Sequence, residues 1–452
     1  MRYTAPKGTH DILPSGKDRT DWADDITKWH WLEGIFRDLC ALYGYEEVRT
    51  PIFEDTQLFH RAVGEGTDIV SKETYDFVTK GGDAITLRPE GTAGVLRAYV
   101  QNRVYLERPI AKLCYIGPNF RYERPTKGRY RQHYQAGIEL LGASGPEADA
   151  EVIALLAAIF TRLGVSRLTL RLNSVGSIES RARYVEALIA YATPLVSQMS
   201  EDNQRRFGQN ALRMLDSKEE QDQRLLADAP IVTDFLDPES REHFEALQKL
   251  LTTLGVDYKL DPFLVRGFDY YTRTLFEIES PDVGAQSSLA GGGRYNRLVE
   301  QLGGPATPGI GFGLGIERTL IALQTAKVPV PDPTAPVAFL CPIGAAARDA
   351  CVILLSQLRG ANLAADMDYT GRKLKASLEQ ADRVRARYAL IVGDDEIAEG
   401  VTQVRDMQTK QQARVPIAHL AEMLRGMGGL PSLPRVNTLD MNSNEKGEPG
   451  GD

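Results

Sequence analysis

The chain has 452 residues, more than one hydrophobic core normally serves, so two to four domains are expected. Hydrophobic residues make up 42% and charged residues 25%, and the formal net charge of -8 argues against a protein that coats nucleic acid through bulk positive charge. No stretch approaches the ~18 apolar residues of a membrane span, and residues 1–11 lack the apolar run of a signal peptide, so a cytoplasmic protein is expected.

The first predicted element is an amphipathic helix. Apolar residues recur every three or four positions from Trp22 to Tyr43, and Gly44 follows as a helix stop. The same patterns predict strands through Val48 and at residues 85–87, 113–116 and 168–172, and a helix over residues 146–163 stopped by Gly164.

The cysteine pattern indicates neither a zinc site nor a disulfide scaffold. No two cysteines form a CxxC pair, and the histidines do not cluster near them. Buried free thiols are therefore predicted at Cys40, Cys114, Cys341 and Cys351.

Residues 86–92 combine a carboxylate and a hydroxyl two positions apart. Glu90 and Thr92 are the residue types that would hold the ammonium group of a substrate. The same short stretch also suits the N-cap of a helix, with Thr92 or a neighbour as the cap. Taken singly, the capping interpretation is favoured, and both stay open.

Residues 120–139 carry the densest set of candidate functional groups. Between residues 120 and 131 five cationic side chains face one acid, Glu123, and a proline and a glycine among them predict a turn. The pattern indicates two strands joined by a basic loop, with Gln135 and Glu139 on one face of the returning strand. This predicts a pocket for an anionic nucleotide and a second polar ligand, while a solvated hairpin tip is an equally good interpretation.

A charged, glycine-poor helical stretch occupies residues 177–250 and is interpreted as an inserted module. Strand signals return at residues 272–279, just after the sequence Arg-Gly-Phe-Asp-Tyr-Tyr that begins at Arg266. A guanidinium group matches phosphate oxygens, and tyrosine hydroxyls can hydrogen-bond a small ring. Because Gly267 lets the backbone approach a ligand closely, a binding role is favoured over a tyrosine corner or an edge strand.

Residues 309–315 carry glycine at every second position and run into a helix that begins with Ile316. The stretch matches neither a dinucleotide-binding fingerprint nor a P-loop. Alternating glycines expose a flat strand face that an aromatic base could cover, and Arg318 adds positive charge near the helix N-terminus. A glycine-rich packing strand remains a plausible alternative.

A proline-rich joint at residues 329–336 predicts a linker to a last domain. Strands at residues 337–340 and 388–392 alternate there with helices at 347–359 and 373–383, which predicts a small α/β domain with parallel strands. Residues 370–390 carry a net charge of +4, which fits either RNA binding or a solvated helix face.

In this order, the four segments around residues 90, 130, 270 and 312 resemble the class II aminoacyl-tRNA synthetases, and among them the histidyl-tRNA synthetases. The similarity runs from about Ala5 to about Arg425. Residues 45–51 resemble the first class II motif, 120–139 the second, 311–320 the third, and 289–304 a histidine-specific element.

The resemblance implies roles for particular residues. Arg121 and Arg266 would grip the α-phosphate of ATP as catalytic residues. Histidine would be bound by Glu90, Thr92, Gln135, Glu139, Tyr270 and Tyr271. ATP would also be bound by Glu123, Arg129, His133 and Arg318, with Arg318 at the outer phosphates and His133, where relatives often have phenylalanine, stacked on adenine.

The family works as a homodimer with ATP and Mg2+ and joins L-histidine to tRNA(His); the metal ligands stay unassigned. The implied fold is an α/β multidomain protein with an antiparallel-sheet class II catalytic core, a helical insertion and a C-terminal α/β anticodon-binding domain. The predicted boundaries are a core at 1–176 and 251–325, an insertion at 177–250, a linker at 326–336, an anticodon-binding domain at 337–428 and a disordered tail at 437–452.

One alternative comes from a different class of protein. A synthetase-like regulatory subunit of ATP phosphoribosyltransferase keeps the fold and binds histidine without charging tRNA. Such proteins generally lack the last domain and have eroded motifs. Because Arg121, Arg266 and the C-terminal α/β pattern are all present, the synthetase interpretation is preferred.

Overall fold

The computed structural model describes residues 3–14, 20–64, 67, 69–284, 287–330 and 335–426. The chain divides into two compact units, residues 1–331 and 332–452. None of the helices in the described residues is long and apolar enough to cross a membrane.

The strands of the first unit are β1 (Glu46–Glu47), β2 (Phe53–Asp55), β3 (Tyr75–Val78), β4 (Ala84–Leu87), β5 (Ala111–Phe120), β6 (Gln132–Leu141), β7 (Thr169–Ser174), β8 (Lys259–Leu260), β9 (Thr272–Glu279), β10 (Ser288–Arg294) and β11 (Gly309–Gly315). Its α-helices are α1 (Ile26–Leu42), α2 (Thr56–Val63), α3 (Thr92–Gln101), α4 (Val104–Glu107), α5 (Pro146–Leu163), α6 (Ile178–Ala192), α7 (Glu201–Gln209), α8 (Glu220–Leu225), α9 (Pro238–Thr253), α10 (Leu298–Gln301) and α11 (Ile316–Thr325). Single 3-10 turns lie at Trp22–Asp24, Val196–Gln198, Ala211–Asp216, Val232–Phe235 and Pro281–Val283, and a π-helical turn lies at Ile69–Glu73.

Eight strands in the described part of this unit form one sheet, in the order β1-β5-β6-β11-β10-β9-β7-β8. The β1–β5 and β7–β8 pairs at its two edges are parallel, and all inner pairs are antiparallel. The predicted antiparallel core is therefore confirmed. Strands β2, β4 and β3 form a separate small sheet.

The two faces of the large sheet differ because side chains alternate along each strand. On one face Ile138, Phe276 and Phe312 pack against α1, α5 and α9 in the main hydrophobic core. Their neighbours one residue away along each strand point to the opposite face, where several of them are glycines. The helices thus cover one face and leave the other available for a ligand.

A buried polar cluster ties β9 and β10 to the helices behind them. Asp149 of α5 and Arg294 of β10 are both fully buried and form an ion pair. The Asp149 carboxylate also accepts hydrogen bonds from Thr274 Oγ1 at 2.5 Å and is bonded to His243 Nε2 of α9 at 2.8 Å. Because a buried charge needs such partners, this cluster holds the strands in one arrangement.

Most predicted elements of the first unit are confirmed, and two are shorter than predicted. Helix α1 begins at Ile26 because the Asp25 carboxylate caps it by accepting the Thr27 N–H at 3.0 Å, so Trp22 lies in a separate 3-10 turn. The strand predicted through Val48 is limited to Glu46–Glu47, although the Val48 N–H still donates to Cys114 O at 2.8 Å. All four cysteines are buried free thiols, as predicted.

The second unit contains strands β12 (Ala338–Pro342), β13 (Ala365–Met367), β14 (Tyr388–Val392), β15 (Val401–Asp406) and β16 (Gln412–Pro416) and helices α12 (Ala345–Gly360), α13 (Leu374–Arg383), α14 (Asp394–Glu399) and α15 (Ile417–Gly426). The sheet order is β13-β12-β14-β15-β16.

The prediction of parallel strands for this unit is only partly right. Strand β12 is parallel to β13 and β14, but β15 and β16 are antiparallel to their neighbours. The link between β15 and β16, residues 407–411, is too short for the crossover that a parallel pair needs. The predicted tail at 437–452 and part of the predicted linker, residues 331–334, lie outside the described residues.

Candidate active site

The floor of the candidate site is a row of glycines that runs across three strands. Gly137 of β6 pairs with Gly313 of β11, which pairs in turn with Gly291 of β10. All three lie on the sheet face that the helices leave free. The row therefore gives a flat backbone surface bordered by larger side chains.

Neighbouring side chains occupy the space above two of these glycines. A methyl carbon built at residue 291 would lie 2.5 Å from Arg266 Nη2, and one at residue 137 would lie 2.5 Å from Tyr115 Oη. One built at residue 313 would only reach ordinary contact, 3.6 Å from the Gln135 carboxamide. Glycine is thus needed at 291 and 137 for specific side chains to reach the floor.

A cavity of about 420 Å³ opens above this floor and collects the six residues predicted to bind histidine. They come from three separate stretches of chain: the start of α3, strand β6 and the loop before β9. The polar lining consists of Glu90, Thr92, Gln135, Glu139, Tyr270 and Tyr271, together with Tyr115, Tyr295, Arg121 and Arg266.

Glu139 is the most enclosed acid of this cavity, with 1% of its surface exposed. Its carboxylate accepts hydrogen bonds from the hydroxyls of Thr92 at 2.8 Å, Tyr115 at 3.1 Å and Tyr295. Burial raises the pKa of Glu139 to about 8, although these donors act to lower it. The group is therefore a buried acceptor with restricted geometry.

Tyr115 and Tyr295 were not among the predicted site residues. Tyr115 lies on β5, the neighbour of β6, and Tyr295 directly follows β10, so both reach Glu139 through a strand order that the sequence does not give. The one signal in the sequence was that Tyr295 ends the Gly291–Tyr295 stretch, within the predicted histidine-specific element.

Of the two interpretations left open for Glu90 and Thr92, the structure bears out helix capping, and the binding of a substrate ammonium group stays a prediction. The Glu90 carboxylate accepts the backbone N–H groups of Thr92 at 2.6 Å and Ala93 at 2.8 Å, and so caps α3. Both residues also line the cavity above the glycine row. Burial raises the pKa of Glu90, which is 3% exposed, although the capping bonds act to lower it.

Arg121 and Arg266 meet in the same cleft, although they are far apart in sequence. Both line the cavity just described and a larger adjoining one. Arg121 Nε donates to Pro89 O at 2.9 Å, and burial lowers the pKa of Arg121. Two half-buried guanidinium groups so placed make a strong site for an anion.

Arg266 is held by an ion pair with Glu277 of β9, which sequence reasoning missed. Burial acts to lower the pKa of Arg266, but the combined effect of Glu277, Tyr271 and Tyr270 outweighs it and the net shift is upward. Glu277 pairs in register with Gly291 on one side and Arg171 on the other. The acid therefore lies beside the glycine over which the Arg266 side chain passes.

The larger cavity, about 2090 Å³ and open to solvent, is lined by all five residues predicted to bind ATP: Arg121, Glu123, Arg129, His133 and Arg318. Glu123 and Arg129 form an ion pair within the basic loop. Arg318 Nε donates to Gly128 O at 2.8 Å, and burial lowers the pKa of Arg318 to about 10. Burial, followed by the charges of Arg121 and Arg318, lowers the pKa of His133 to about 3, so its ring is neutral at pH 7.

No group of three His, Cys, Asp or Glu side chains in the described residues forms a preformed metal site. A Mg2+ ion that arrives with a nucleotide needs only one or two carboxylates besides phosphate oxygens and water. Glu277 and Glu279 line the large cavity beside Arg266. The residues present therefore fit a nucleotide-bound Mg2+.

Two family models match the chain. The model described as Histidyl-tRNA synthetase matches residues 23–319, and the model described as Anticodon binding domain matches residues 338–427.

Curated relatives are similar over almost the whole chain. A Histidine--tRNA ligase of Desulforudis audaxviator is 47% identical over 425 residues, which cover 94% of this chain and 99% of the relative. One from Protochlamydia amoebophila is 43% identical over 425 residues, 94% of this chain and 100% of the relative.

Among solved structures, apo histidyl-tRNA synthetase of S. aureus matches with a TM-score of 0.77 and 38% identity over 94% of this chain and 100% of that chain. A Bacillus halodurans protein described as an ATP phosphoribosyltransferase regulatory subunit/histidyl-tRNA synthetase matches with a TM-score of 0.63 and 21% identity, over 87% of this chain and 99% of that one. At that identity the second likeness shows the fold alone.

Proposed function

The chain belongs to the histidyl-tRNA synthetase family, and we propose that its cleft joins L-histidine to tRNA(His) in two steps. Histidine and ATP first give histidyl adenylate and pyrophosphate, and the histidyl group then passes to the terminal ribose of the tRNA with release of AMP. The observation that carries the proposal is the convergence of Arg121 and Arg266 where the larger cavity, lined by the residues predicted to bind ATP, meets the smaller one, lined by those predicted to bind histidine.

In the first step a carboxylate oxygen of histidine attacks the α-phosphorus of ATP, a P–O bond forms, and the bond to pyrophosphate breaks. The substrate supplies the nucleophile, so the protein contributes position and charge. Arg121 and Arg266 flank the phosphorus and stabilise the negative charge that builds up on its oxygens during in-line attack.

The smaller cavity selects the amino acid. The ammonium group of histidine binds Glu90 and the hydroxyl oxygen of Thr92. The imidazole of histidine binds Glu139, with Tyr270 and Tyr271 at the sides. Three hydroxyl donors occupy three of the roughly four acceptor positions of the Glu139 carboxylate, so a ligand side chain without a matching N–H leaves the remaining buried position unpaired. Sites of this kind reject such analogues by up to about 10⁴–10⁵-fold.

The larger cavity holds the nucleotide. Arg318 binds the outer phosphates, the neutral ring of His133 stacks on adenine, and Glu123 and Arg129 hold the rest of the ATP from the basic loop. Glu277 and Glu279 would hold Mg2+, which when bound offsets the charge of the departing pyrophosphate.

The predicted anticodon-binding domain, residues 337–428, binds the anticodon of tRNA(His); the match of the anticodon-binding family model to residues 338–427 supports this. The alternative regulatory role needs neither this unit nor the pair of arginines. Because the reaction serves protein synthesis, we propose that the chain acts in the cytoplasm.

The chain acts as a homodimer. The small sheet exposes a face on which Phe53 is 50% and Phe77 45% exposed, joined through Leu87 and Ile85 of the middle strand. Exposed apolar surface of this kind marks an interface more often than a free surface. Sedimentation of the wild type and of Phe77→Glu tests this, with a monomeric wild type as the contradicting result.

The decisive experiment is aminoacylation of total tRNA by the purified chain with each of the twenty amino acids in turn and ATP with Mg2+. Charging is expected with histidine only, and pyrophosphate exchange is expected to require histidine. Histidine binding without any exchange or charging would contradict the proposal.

A further inference from the structure

A side-chain hydrogen bond links Gln135, which lines the smaller cavity, to Asn119, a buried residue outside the cavity wall. Asn119 of β5 is 1% exposed, and its Nδ2 donates to Gln135 Oε1 of β6 at 2.7 Å. Gln135 lines both cavities, whereas Asn119 is in neither wall as far as the described residues define them. Asn119 can therefore act on a ligand only through Gln135.

This bond decides which end of the Gln135 carboxamide faces the ligand. A carboxamide carries an acceptor oxygen and a donor NH2 group. With Oε1 occupied by Asn119, the other end of the carboxamide is Nε2, which donates no hydrogen bond to another of the described residues. Gln135 thus presents a donor to the same two cavities that Arg121 and Arg266 line, and an acceptor oxygen of the ligand is the matching group.

The bond comes with a cost at the other end of Asn119. Its Oδ1 atom is buried and has no hydrogen-bond partner. A buried, unsatisfied amide oxygen destabilises a fold, and an apolar side chain of similar size would avoid that penalty. The amide is explained if its donor is needed at Gln135.

We propose that Asn119 is a positioning residue that orients the Gln135 carboxamide with Nε2 toward the α-carboxylate of histidine, the group that attacks ATP. The inference rests on the proposed function and names how that site holds its nucleophile. A Gln135 turned the other way would place an oxygen against the carboxylate and repel it.

The test reverses the polarity of the bond with Asn119→Asp, whose carboxylate only accepts and so draws Nε2 of Gln135 toward itself. Histidine binding is measured as the KM for histidine in ATP–pyrophosphate exchange. Binding of histidinol, in which CH2OH replaces the carboxylate, is measured as its inhibition constant in the same reaction. KM for histidine is expected to rise by about tenfold or more, while the histidinol constant changes by less than about threefold. KM for ATP is expected to stay within about threefold.

Two further variants separate the loss of the Asn119 donor from the effect of an added charge. Asn119→Leu removes the donor without adding charge, and the ratio of histidine to histidinol affinity is expected to fall by about threefold or more. In a Gln135→Leu background, Asn119→Asp is expected to change that ratio by less than about twofold, because the coupled partner is gone. Thermal melting of each variant reports whether the fold survives.

Equal weakening of histidine and histidinol in both Asn119 variants, or no change in either, would overturn the proposal. So would a ratio that still shifts in the Gln135→Leu background. A wild-type chain without histidine-dependent exchange would instead contradict the proposed function itself.

Discussion

Replacing Gly291 by alanine should disable catalysis while leaving the fold intact. The added methyl carbon would lie 2.5 Å from Arg266 Nη2, whereas nonbonded heavy atoms settle at about 3.5 Å. The guanidinium must therefore move by about 1 Å. Because the atoms in the way are the far end of a flexible side chain, the strand itself need not move and stability should change little.

A displacement of about 1 Å at a catalytic group typically costs about 10²-fold in rate. We therefore expect kcat for histidine-dependent ATP–pyrophosphate exchange to fall about 10²-fold in Gly291→Ala. The melting temperature is expected to stay within about 4 °C of the wild type.

The matched control lies in the same row of glycines. Gly313→Ala adds the same methyl group on the neighbouring strand, but the nearest side-chain atoms are 3.6 Å away, in ordinary contact. Its kcat should stay within about fivefold of the wild type, with any change appearing in KM. The reasoning is refuted if Gly291→Ala exchanges pyrophosphate at a nearly normal rate, or if the two alanine variants lose kcat equally.

Three other predictions concern side chains at or behind the site. Arg266→Ala should lower the rate of adenylate formation by about 10²–10³-fold with a much smaller effect on ATP binding, measured by exchange and by equilibrium dialysis; near-normal exchange would remove Arg266 from catalysis. Because the pKa of Glu139 is about 8, the fraction of Glu139 that is an ionised, hydrogen-bond-accepting carboxylate increases as pH rises. KM for histidine should therefore fall about fivefold between pH 7 and 8 in the wild type and stay constant in Glu139→Gln. An equal pH dependence of KM in both proteins would contradict this. Asp149→Ala leaves the buried Arg294 without its ion-pair partner and should lower the free energy of unfolding, measured by urea titration, by about 3–5 kcal/mol. If the free energy of unfolding falls no more than in an exposed control such as Asp38→Ala, the ion pair is dispensable.

The sequence predicts those parts of the site that depend on local pattern. The alternation that places Gln135 and Glu139 on one strand face is visible in the chain, and strand β11 with helix α11 follows directly from residues 309–316. The basic loop between β5 and β6 is also foreseen, because cations, a proline and a glycine within a few residues are typical of a turn.

What the sequence could not predict depends on cross-strand register. Tyr115 lies 24 positions before Glu139 and Tyr295 lies 156 after it, yet both hydroxyls reach the same carboxylate. Glu277 reaches Arg266 because the side chain of this loop arginine lies over Gly291 of β10, the cross-strand partner of Glu277, and no pattern within the chain indicates that pairing. The partly wrong prediction for the second unit has a related cause: residue alternation indicates strands, but only the length of a connection limits their direction.

The loop that begins at Arg266 shows why such contacts matter for function. Its arginine, Arg266, forms an ion pair with Glu277 of β9. Its aspartate, Asp269, is held by the helical stretch at residues 177–250, where Arg181 Nη1 donates to Asp269 O at 2.7 Å and Asn210 Nδ2 donates to Asp269 Oδ1 at 2.8 Å. The loop is thus held in position by two parts of the fold, strand β9 of the large sheet and the helical stretch at residues 177–250. Loss of either anchor should move Arg266 and the tyrosines together, because the residues between the anchors form one short continuous stretch. The rate of adenylate formation then depends on how the sheet and the helical segment are packed, as well as on the residues that touch the substrate.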